Sequence, residues 1–374
     1  MSGTGCLILG DAAVHKLLIN LTKPDILTFQ RKLQESLKGY SAAEREYQPD
    51  SGVSVRRNGQ KTLFRPFTSP SSVGCKIIVD PAPEAGTGKK SPLHGVLVVC
   101  DNNGIPSGIL NAEEITAFRT SLSALIPWTW RRHTEKVLVF GAGKQALWHI
   151  RLALALRGDE IKSVTFVNRT KERAQTLVDQ LRKDNDSRWH SKAELDCIAT
   201  SDGSDEVKKH LSEADAIFCT VPSQEALFQA WDVQRSAEQR KPYISAIGSW
   251  QPNMIELDPG LLTRVVSEEG AYNPLSKDSG GAILVDDRKS VSEHTGEILQ
   301  SKLPAEQLIE LGQILEIQDS AKGTEETAKL NAWLQDSFIV YKSVGVSLTD
   351  LASGEAILEL AKKQENIGTL VTDL

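Results

Sequence analysis

The spacing of hydrophobic residues divides the chain into three stretches of different character. In the first, "CLIL" predicts a short strand, "DAAVHKLLINL" has apolar residues at helical spacing, and a second helix is predicted over about 25–38. Four runs with strand character follow, "GVSVRR", "KTLFRPF", "CKIIVD" and "GVLVVCD". "NAEEITAFRTSLSALIPWTW" then predicts a helix that Pro127 ends, because proline lacks the amide hydrogen that a helix interior needs.

From Val137 the pattern alternates between strands and helices. Strands are predicted at "KVLVFGAG", "SVTFVNR", "DAIFCTV", "PYISAIGS", "TRVVSE" and "AILVDD", and helices at "KQALWHIRLALAL" and "KERAQTLVDQLRK". Such alternation predicts an α/β fold with a parallel, doubly wound sheet. After about residue 300 the pattern becomes helical again.

Composition disfavours several classes of function. The net charge of −6 argues against a binder of nucleic acid or of an anionic membrane, because both usually present a basic face. No apolar run approaches the roughly 20 residues of a membrane-spanning helix, and the first residues lack a signal-peptide pattern. The five cysteines have no CxxC spacing and the seven histidines no ligand spacing, so we expect no metal site and a cytoplasmic location.

A glycine-rich turn follows the first strand of the alternating stretch. In "VLVFGAGKQA", Gly141 permits a tight turn, Gly143 lets the backbone approach a pyrophosphate, and Ala146 lets the helix pack near the sheet. The amides at the start of the helix then face the phosphates. This GxGxxA lies between a predicted strand and a predicted helix, so it predicts a dinucleotide site. The residues expected to bind are Gly141, Ala142, Gly143, Lys144 and Gln145.

The end of the second strand of this stretch indicates which dinucleotide binds. A site for NAD usually has a carboxylate here that binds the ribose hydroxyls. This chain has "NRTKER", in which a guanidinium can bind a 2′-phosphate and a threonine can donate a hydrogen bond. We therefore expect NADPH, bound by Asn168, Arg169, Thr170 and Arg173, although a solvated basic helix start is an alternative. Thr220, which ends a later strand, is expected to line the same cleft, with a plain turn as the alternative.

Two cations of the first stretch are candidates for binding an anionic substrate group. Lys76 begins the strand run "CKIIVD", where a charge is unusual unless its head group reaches solvent or a ligand. Arg119 lies in the helical segment "ITAFRTS". For each, a structural or surface role is the alternative. Among the acidic residues, Asp350 in "SLTDLA" is expected to cap the last helix. Glu297 in "SEHTGE" is expected to belong to a loop before a helix, with a polar position beside the active site as the alternative.

Six segments together resemble the ornithine cyclodeaminase/μ-crystallin family. They are "GIPSGILNAEEITAFRTSLSAL", "VLVFGAGKQALWH", "VTFVNRTKERA", "AIGSWQPNMIELD", "ILVDDRKSVSEHTGEI" and "VYKSVGVSLTDLA", and they occur in the family's order over nearly the whole chain. The resemblance implies a homodimer in which a Rossmann-type nucleotide domain is inserted between the two halves of an α+β substrate and dimerisation domain. We accordingly expect the nucleotide domain at residues 126–305 and the substrate domain at 1–125 and 306–374. It also implies a substrate carboxylate bound by Lys76, Arg119 and an arginine near the N-terminal strands.

The first departure from the family's pattern concerns that arginine. It normally follows a proline in a short stretch before a strand, but this chain has "YQPDSGVSVRR" with Ser51 in its place. Arg56 or Arg57 is the candidate replacement, with Arg56 taken as the substrate-binding residue. Arg65, where the family usually has methionine, adds another cation near the same pocket.

The second departure concerns proton transfer. In cyclodeaminases the loop that matches "IGSWQPN" carries an aspartate that handles protons, and Trp250 takes its place here. An indole neither accepts nor delivers a proton at neutral pH. We expect Trp250 to pack over the nicotinamide or the substrate, with packing at the rim of the cleft as the alternative.

These features favour an NADPH-dependent reductase of a C=N bond in a cyclic ketimine or related imine. Hydride would pass from the nicotinamide to the imine carbon, with Lys76 or ordered water as the proton donor. Two alternatives are ornithine cyclisation with loss of ammonia, and a non-catalytic NADPH-dependent binding protein of the μ-crystallin type. A third keeps the reductase chemistry on a substrate without a carboxylate, as Ser51 would allow. The expected partners are a small imine or amino-acid-like substrate and a second copy of the chain.

Overall fold

The computed structural model describes residues 5–84, 86–87, 91–200, 204–236, 238–268, 270–276, 279–320 and 323–372. Contacts divide the chain into two compact units: Met1–Arg119 together with Val346–Leu374, and Thr120–Gly345. In sequence, the middle unit thus lies between the two parts of the other unit. Its bounds differ from those expected, most of all at its end, which lies at Gly345 and not at residue 305.

The elements of the described residues are as follows. The strands are β1 (Cys6–Leu9), β2 (Gly52–Val55), β3 (Lys61–Thr68), β4 (Ser72–Asp80), β5 (His94–Asp101), β6 (Pro106–Asn111), β7 (Lys136–Phe140), β8 (Ser163–Asn168), β9 (Glu194–Ala199), β10 (Ala216–Cys219), β11 (Tyr243–Ala246), β12 (Ile283–Val285), β13 (Leu308–Glu310), β14 (Ile339–Lys342) and β15 (Thr369–Val371). The helices are α1 (Asp11–Ile19), α2 (Lys23–Ala42), α3 (Ala112–Thr129), α4 (Lys144–Arg157), α5 (Lys171–Arg188), α6 (Ser204–Glu213), α7 (Pro259–Ser267), α8 (Arg288–His294), α9 (Gly296–Ser301), α10 (Leu311–Ser320), α11 (Glu325–Asp336) and α12 (Ser347–Lys362).

The first unit is built on a mixed sheet with the strand order β15-β1-β6-β5-β4-β3-β2. Helix α12 packs on α2 and against strands β3 to β6. This close approach depends on Gly354, because a Cβ atom there would lie 2.8 Å from Leu97 Cδ2. Asp350 lies one turn earlier on the same helix face, so α12 directs its side chain towards the sheet.

The strand register places one row of side chains across this sheet. Arg65 pairs with Lys76, Lys76 with Leu97, Leu97 with Leu110, and Leu110 with Leu9. Directly paired residues on neighbouring strands project from the same face. The three leucines are at most 1% exposed, so this face of the sheet is part of the core. Lys76 therefore projects a charged group into an apolar layer.

The second unit is built on an eight-stranded parallel sheet with the order β13-β12-β14-β11-β10-β7-β8-β9. The predicted α/β doubly wound fold is confirmed. Strands β9, β13 and β14 were not predicted. Since β14 pairs with both β11 and β12, the sheet keeps the chain in this unit well beyond residue 305.

One predicted strand of this unit is a helix: "TRVVSE" lies in α7. Asp258 caps the helix by accepting a hydrogen bond from Gly260 N at 2.8 Å, and Pro259 occupies its first turn. The buried residues Leu261 and Val265 have helical spacing. A short apolar run is compatible with either a strand or a helix. Here the Asp258 cap favours the helix.

Helix α3 extends two residues beyond Pro127, to Thr129, so the predicted end at the proline is wrong. A proline in the last turn removes only one hydrogen bond of the helix. Thr129 stabilises the end of helix α3, since its Oγ1 donates a hydrogen bond to Ile126 O at 2.7 Å.

No helix in the described part of the chain is long and apolar enough to cross a membrane. Within the same residues, no group of three or more His, Cys, Asp or Glu side chains is placed to hold a metal ion. None of the five cysteines forms a disulfide.

Candidate functional site

The glycine-rich turn of the second unit joins β7 to α4. Gly141 has a φ of +112°, and its N–H donates to Val167 O at 2.9 Å. A Cβ atom on Gly141 would lie 2.7 Å from Thr220 Oγ1, whereas one on Gly143 would meet nothing within 4 Å. Gly143 is the N-cap of α4, and no side chain of the described residues caps this helix start. Open space beside helix N-terminal amides fits the phosphates of a dinucleotide.

Alanine substitutions at the two glycines are expected to have different effects. G141A strains a left-handed backbone and crowds Thr220, so we expect a loss of about 1–3 kcal/mol of unfolding free energy. At Gly143 φ is −106°, which alanine can adopt, so G143A should keep its stability but weaken dinucleotide binding, because a Cβ occupies the space beside the amides. Thermal unfolding and cofactor titration measure the two effects. Equal stability of both variants would contradict this assignment.

The expected 2′-phosphate residues lie at the end of β8 and the start of α5. Asn168 Nδ2 donates a hydrogen bond to Thr170 O at 2.8 Å, across the short turn that joins β8 to α5. Arg169, Thr170 and Arg173 are exposed. Arg173 Nε donates to Ala142 O at 3.2 Å, which links α5 to the glycine-rich turn. The two predicted cofactor segments therefore lie side by side.

The other predicted cofactor residues surround the same turn. Lys144 is exposed at the first position of α4. Gln145 is half-buried, and its Oε1 accepts a hydrogen bond from Ser121 Oγ at 3.3 Å. Thr220 Oγ1 donates to Phe140 O at 2.8 Å, which fixes the end of β10 against the end of β7. The structure thus places all of these residues at the carboxyl edge of the parallel sheet.

The loop of Trp250 follows β11 at the same edge of the sheet. Trp250 is half-buried. The two residues before it are fixed by one carboxylate, since Glu256 Oε2 accepts hydrogen bonds from Gly248 N at 2.6 Å and Ser249 N at 3.2 Å. The other oxygen, Glu256 Oε1, accepts from Val221 N at 2.9 Å. Glu256 therefore holds two neighbouring loops together.

A buried lysine completes this arrangement. Lys342 Nζ donates to Ser249 O at 2.8 Å and lies 3.4 Å from Glu297 Oε1 and 3.8 Å from Glu256 Oε2. All three charged side chains are 0% exposed. Burial raises the pKa of Glu256 to about 8; Lys342 opposes this shift and Glu297 adds to it. These groups position the loop and are closed to solvent.

The role expected for Glu297 is wrong. It belongs to helix α9 and is fully buried, where Ser249 Oγ donates to its Oε1 at 2.5 Å. Neither Glu256 nor Lys342 was identified from the sequence as part of this loop support. A lysine at the end of the apolar run "FIVYK" is the signal that could have indicated it, because an unpaired charge is rarely buried.

In the first unit, Lys76 and Arg119 share one carboxylate. Lys76 Nζ lies 2.6 Å from Asp350 Oδ2, and Arg119 Nε donates to Asp350 Oδ1 at 2.8 Å. Lys76 also donates to Thr116 Oγ1 at 3.4 Å. The side chains of Lys76, Asp350 and Arg119 are 1%, 0% and 4% exposed. Strand β4 and helices α3 and α12 thus bring two predicted substrate residues together.

Asp350 is the residue of this cluster that the sequence did not indicate. The N-cap of α12 is Val346, so the expected capping role of Asp350 is wrong. Although burial alone would raise its pKa, Arg119 and Lys76 hold the pKa of this carboxyl below its ordinary value. Its partners come from distant parts of the chain, so local sequence carried no signal of the pairing.

The amine of Lys76 titrates close to neutral pH. Burial lowers its pKa from 10.5 to about 7, against the attraction of Asp350. The positive charges of Arg119 and Arg65 lower the pKa further. At neutral pH, the amine therefore exists in both its charged and its neutral form.

The structure does not bring Arg56 into this cluster. Arg56 is exposed in the turn between β2 and β3, where its N–H donates to Gln60 O at 2.8 Å. The adjacent pair, Val55 with Lys61, lies four residues along β3 from Arg65, or roughly 13 Å at about 3.3 Å per residue. Arg65, and not Arg56, is the cation that pairs with Lys76 in the register.

Comparisons with known proteins identify relatives over most of the chain. The sequence is 28% identical to an uncharacterised cyclodeaminase of Dictyostelium discoideum, over 97% of this chain and 98% of that protein. It is 23% identical to the Δ(1)-pyrroline-2-carboxylate reductase of Bacillus cereus, over 78% of each. It is 24% identical to the ketimine reductase μ-crystallin of Rattus norvegicus, over 72% of this chain and 70% of that protein.

Solved structures share the fold. The Δ(1)-pyrroline-2-carboxylate reductase of Thermococcus litoralis, in complex with NADH and L-proline, has a TM-score of 0.70 at 16% identity and covers 98% of this chain and 100% of its own. The iminosuccinate reductase of Paracoccus denitrificans, in complex with NAD+, has a TM-score of 0.72 at 18% identity and covers 98% and 99%. The sequence model of the shikimate/quinate 5-dehydrogenase family matches residues 129–248, which lie entirely within the second unit.

These comparisons confirm the resemblance that the motifs indicate. The relatives include Δ(1)-pyrroline-2-carboxylate reductases, ketimine reductases and an uncharacterised cyclodeaminase, and the two structural neighbours described above contain NADH or NAD+. Over most of its length the chain is therefore similar to imine and ketimine reductases and to a cyclodeaminase, as the ornithine cyclodeaminase/μ-crystallin resemblance of its motifs predicts.

Proposed function

We propose that the protein reduces the C=N bond of a small cyclic ketimine or related imine with NADPH. The observation that carries this proposal is the buried cluster of Lys76, Asp350 and Arg119. Reduction of an imine needs an anchor that orients the substrate and a proton for the nitrogen. Lys76 can supply the proton because its pKa of about 7 lets it hold and release one near neutrality. The imine reductases among the relatives support the same chemistry.

The chemistry is divided between the cofactor and the residues of this cluster. NADPH, when bound at the glycine-rich turn, supplies the hydride for the imine carbon. Lys76 donates a proton through Nζ to the imine nitrogen, so that the C=N bond becomes a CH–NH bond. Arg119 is held by Asp350 through Nε, and its terminal amino groups bind the substrate carboxylate. Asp350 keeps both cations in position while the substrate exchanges.

The proposal excludes the proton handling of a cyclodeaminase. Trp250 offers no carboxylate on the loop after β11. The acidic side chains beside this loop, Glu256 and Glu297, are fully buried and lie close to Lys342. Glu256 already accepts hydrogen bonds from loop amides, and Glu297 accepts one from the hydroxyl of Ser249. Neither can reach an amine of ornithine without losing those contacts. Trp250 instead provides an apolar ring that excludes water from a hydride transfer.

The preference for NADPH rests on the exposed basic residues after β8. We expect R169A to raise the KM for NADPH about tenfold to a hundredfold, the usual range for losing a charge-assisted hydrogen bond, and to leave the KM for NADH nearly unchanged. R188A, at the other end of α5, is the matched control and should change neither value. Steady-state kinetics with both cofactors makes the measurement. An equal change for both cofactors would show that Arg169 does not contact the 2′-phosphate.

Turnover on a substrate panel tests the proposed function. The panel contains Δ1-pyrroline-2-carboxylate, its six-membered homologue and neutral cyclic imines, each assayed with NADPH and NADH. We expect the fastest NADPH oxidation with the carboxylated imines. NADPH binding without turnover on any imine would instead favour a ligand-binding protein.

A further inference from the structure

We infer that a cavity at the amino edge of the parallel sheet binds a small organic carboxylate with an apolar or aromatic body. The cavity has a volume of about 410 Å³, within the range of sites for small molecules. All of its lining residues belong to the second unit. We call it the amino-edge cavity, and its walls include Arg131, Lys241, Glu268, Tyr272, Trp333 and Phe338. The inference goes beyond the proposed function, because it concerns neither the dinucleotide nor the imine.

The strand order explains why these residues meet. Strands β12, β14 and β11 are neighbours in the sheet and run parallel, so the segments before them lie at the same edge. Lys241 lies two residues before β11, and Phe338 lies directly before β14. The glycine-rich turn follows β7 at the opposite, carboxyl edge. The five residues of β7 span roughly 17 Å at about 3.3 Å per residue, so the cavity is separate from the expected dinucleotide site.

Arg131 is the buried cation of the amino-edge cavity. It follows helix α3 and is 4% exposed. Its Nη1 donates to Leu334 O and its Nη2 to Lys241 O, each at 2.7 Å. Among the described residues, its Nε has no hydrogen-bond acceptor. Two carbonyls therefore hold the guanidinium in place, and it keeps donors for a further acceptor, since it carries five N–H groups.

The positive charge of this guanidinium has no ion-pair partner in the described part of the chain. Of the acidic side chains that line the cavity, Glu268 accepts a hydrogen bond from Lys241, and Asp336 accepts two from Arg132, at 2.8 and 2.9 Å. The third, Glu238, is exposed. Burial lowers the pKa of the guanidinium to about 10, although Asp336 attracts its charge from a distance. A carboxylate in the cavity would supply the missing counter-charge, because a buried charge is costly unless it is paired.

Aromatic side chains supply an apolar part of the lining. The rings of Tyr272 and Trp333 are in edge-to-face contact, with centroids 5.8 Å apart. Trp333 and Phe338 are each 5% exposed. Such rings bind an apolar or aromatic body by stacking on it and by removing its surface from water. A buried arginine beside these rings favours an organic carboxylate over an inorganic anion, which has no apolar body.

The first test is a calorimetric titration of the protein with benzoate, indole-3-acetate and cyclohexanecarboxylate, each beside its neutral amide. We expect at least one acid to bind with a Kd about tenfold to a hundredfold lower than that of its amide, the usual effect of a charge-assisted hydrogen bond. Binding of no acid, or equal binding of acid and amide, would overturn the inference. Inorganic phosphate is titrated in parallel, and binding of phosphate without any of the organic acids would overturn the assigned ligand class.

Two substitutions locate the bound acid. R131M removes the cation and should raise the Kd of the acid about tenfold or more. Because this change also leaves two carbonyls without their donor, S337F provides an independent test. Ser337 lines the cavity, is half-buried and has an extended backbone, which any residue adopts. The larger side chain should obstruct the cavity and weaken binding, whereas S337A, the matched control, should leave the Kd unchanged.

The same variants distinguish this cavity from the cluster of Lys76, Asp350 and Arg119, where a carboxylate is also expected to bind. Binding that is unchanged in both R131M and S337F would place the acid elsewhere and overturn the inference. Binding that is lost in S337F and retained in S337A, with thermal unfolding as in wild type, supports it. Imine reduction is measured separately in the same proteins. Its absence would refute the proposed function without affecting the inference.

Discussion

Replacing Lys76 by arginine is expected to lower kcat/KM for the imine by about a hundredfold to ten-thousandfold, the range for loss of a general acid. Arginine keeps the positive charge beside Asp350 but cannot give up a proton in the accessible pH range. The measurement is NADPH oxidation by wild type and K76R at saturating NADPH. Unchanged NADPH affinity and thermal unfolding are the controls. A K76R enzyme with wild-type activity would identify water, and not Lys76, as the proton donor.

The pH dependence of the same reaction follows from the pKa of Lys76. The charged form is the donor, and it is depleted as the pH rises through about 7. Wild-type kcat/KM is therefore expected to fall about tenfold for each pH unit above that value. The inflection should be absent in K76R. A wild-type profile that rises through neutral pH would have the opposite sign and contradict the role of Lys76 as an acid.

Replacing Lys342 by methionine is expected to lower the free energy of unfolding by about 3–5 kcal/mol above pH 8, where Glu256 is ionised, because it leaves the buried carboxylates without their cation. K136M is the matched control. Lys136 pairs with Glu213 on the surface, where the two side chains are 48% and 42% exposed, so its loss should cost about 0–1 kcal/mol. Denaturant unfolding measures both. Equal losses would contradict the account of a closed ion-pair cluster.

The effect of K342M should also grow with pH. Glu256 has its pKa raised from 4.5 to about 8 in the folded protein, so the folded state holds this proton more tightly than the unfolded state does. Stability from such a group is therefore lost as the pH rises across that window. Without Lys342 the pKa rises further, and the destabilisation should be larger at the alkaline end. Adding E297Q to K342M removes one buried charge and should recover part of the loss.

Local patterns predicted the glycine-rich turn and the basic segment after β8, and the structure places these two segments side by side. The turn at Gly141 and the basic residues after β8 are consecutive in sequence, and each depends on geometry that only neighbouring residues determine. The parallel sheet was predicted for the same reason, since alternating strands and helices constrain its topology. The exception at "TRVVSE" arose because a short apolar run suits both a helix and a strand, and the Asp258 cap was overlooked.

Local sequence patterns could not predict the buried charged clusters around Asp350 and Lys342. Lys76 was singled out as a charge in an apolar run, but its partner Asp350 belongs to a helix near the other end of the chain. Lys342 likewise lies close to Glu256 and Glu297 only because strands β11, β12 and β14 are side by side in the folded sheet. Arg65 is an extra cation in the sequence, and only the strand register shows that it is opposite Lys76. Such pairings depend on tertiary structure.

Transfer of deuterium from labelled NADPH to a cyclic imine tests the central proposal most directly. The protein is incubated with Δ1-pyrroline-2-carboxylate and NADPH deuterated at the reactive carbon of the nicotinamide, and the product is analysed by mass spectrometry. We predict proline with one deuterium on the carbon bonded to both the nitrogen and the carboxylate. A parallel incubation with ornithine and oxidised cofactor should release no ammonia. Ammonia release from ornithine, with no deuterium transferred to any imine, would contradict the proposal.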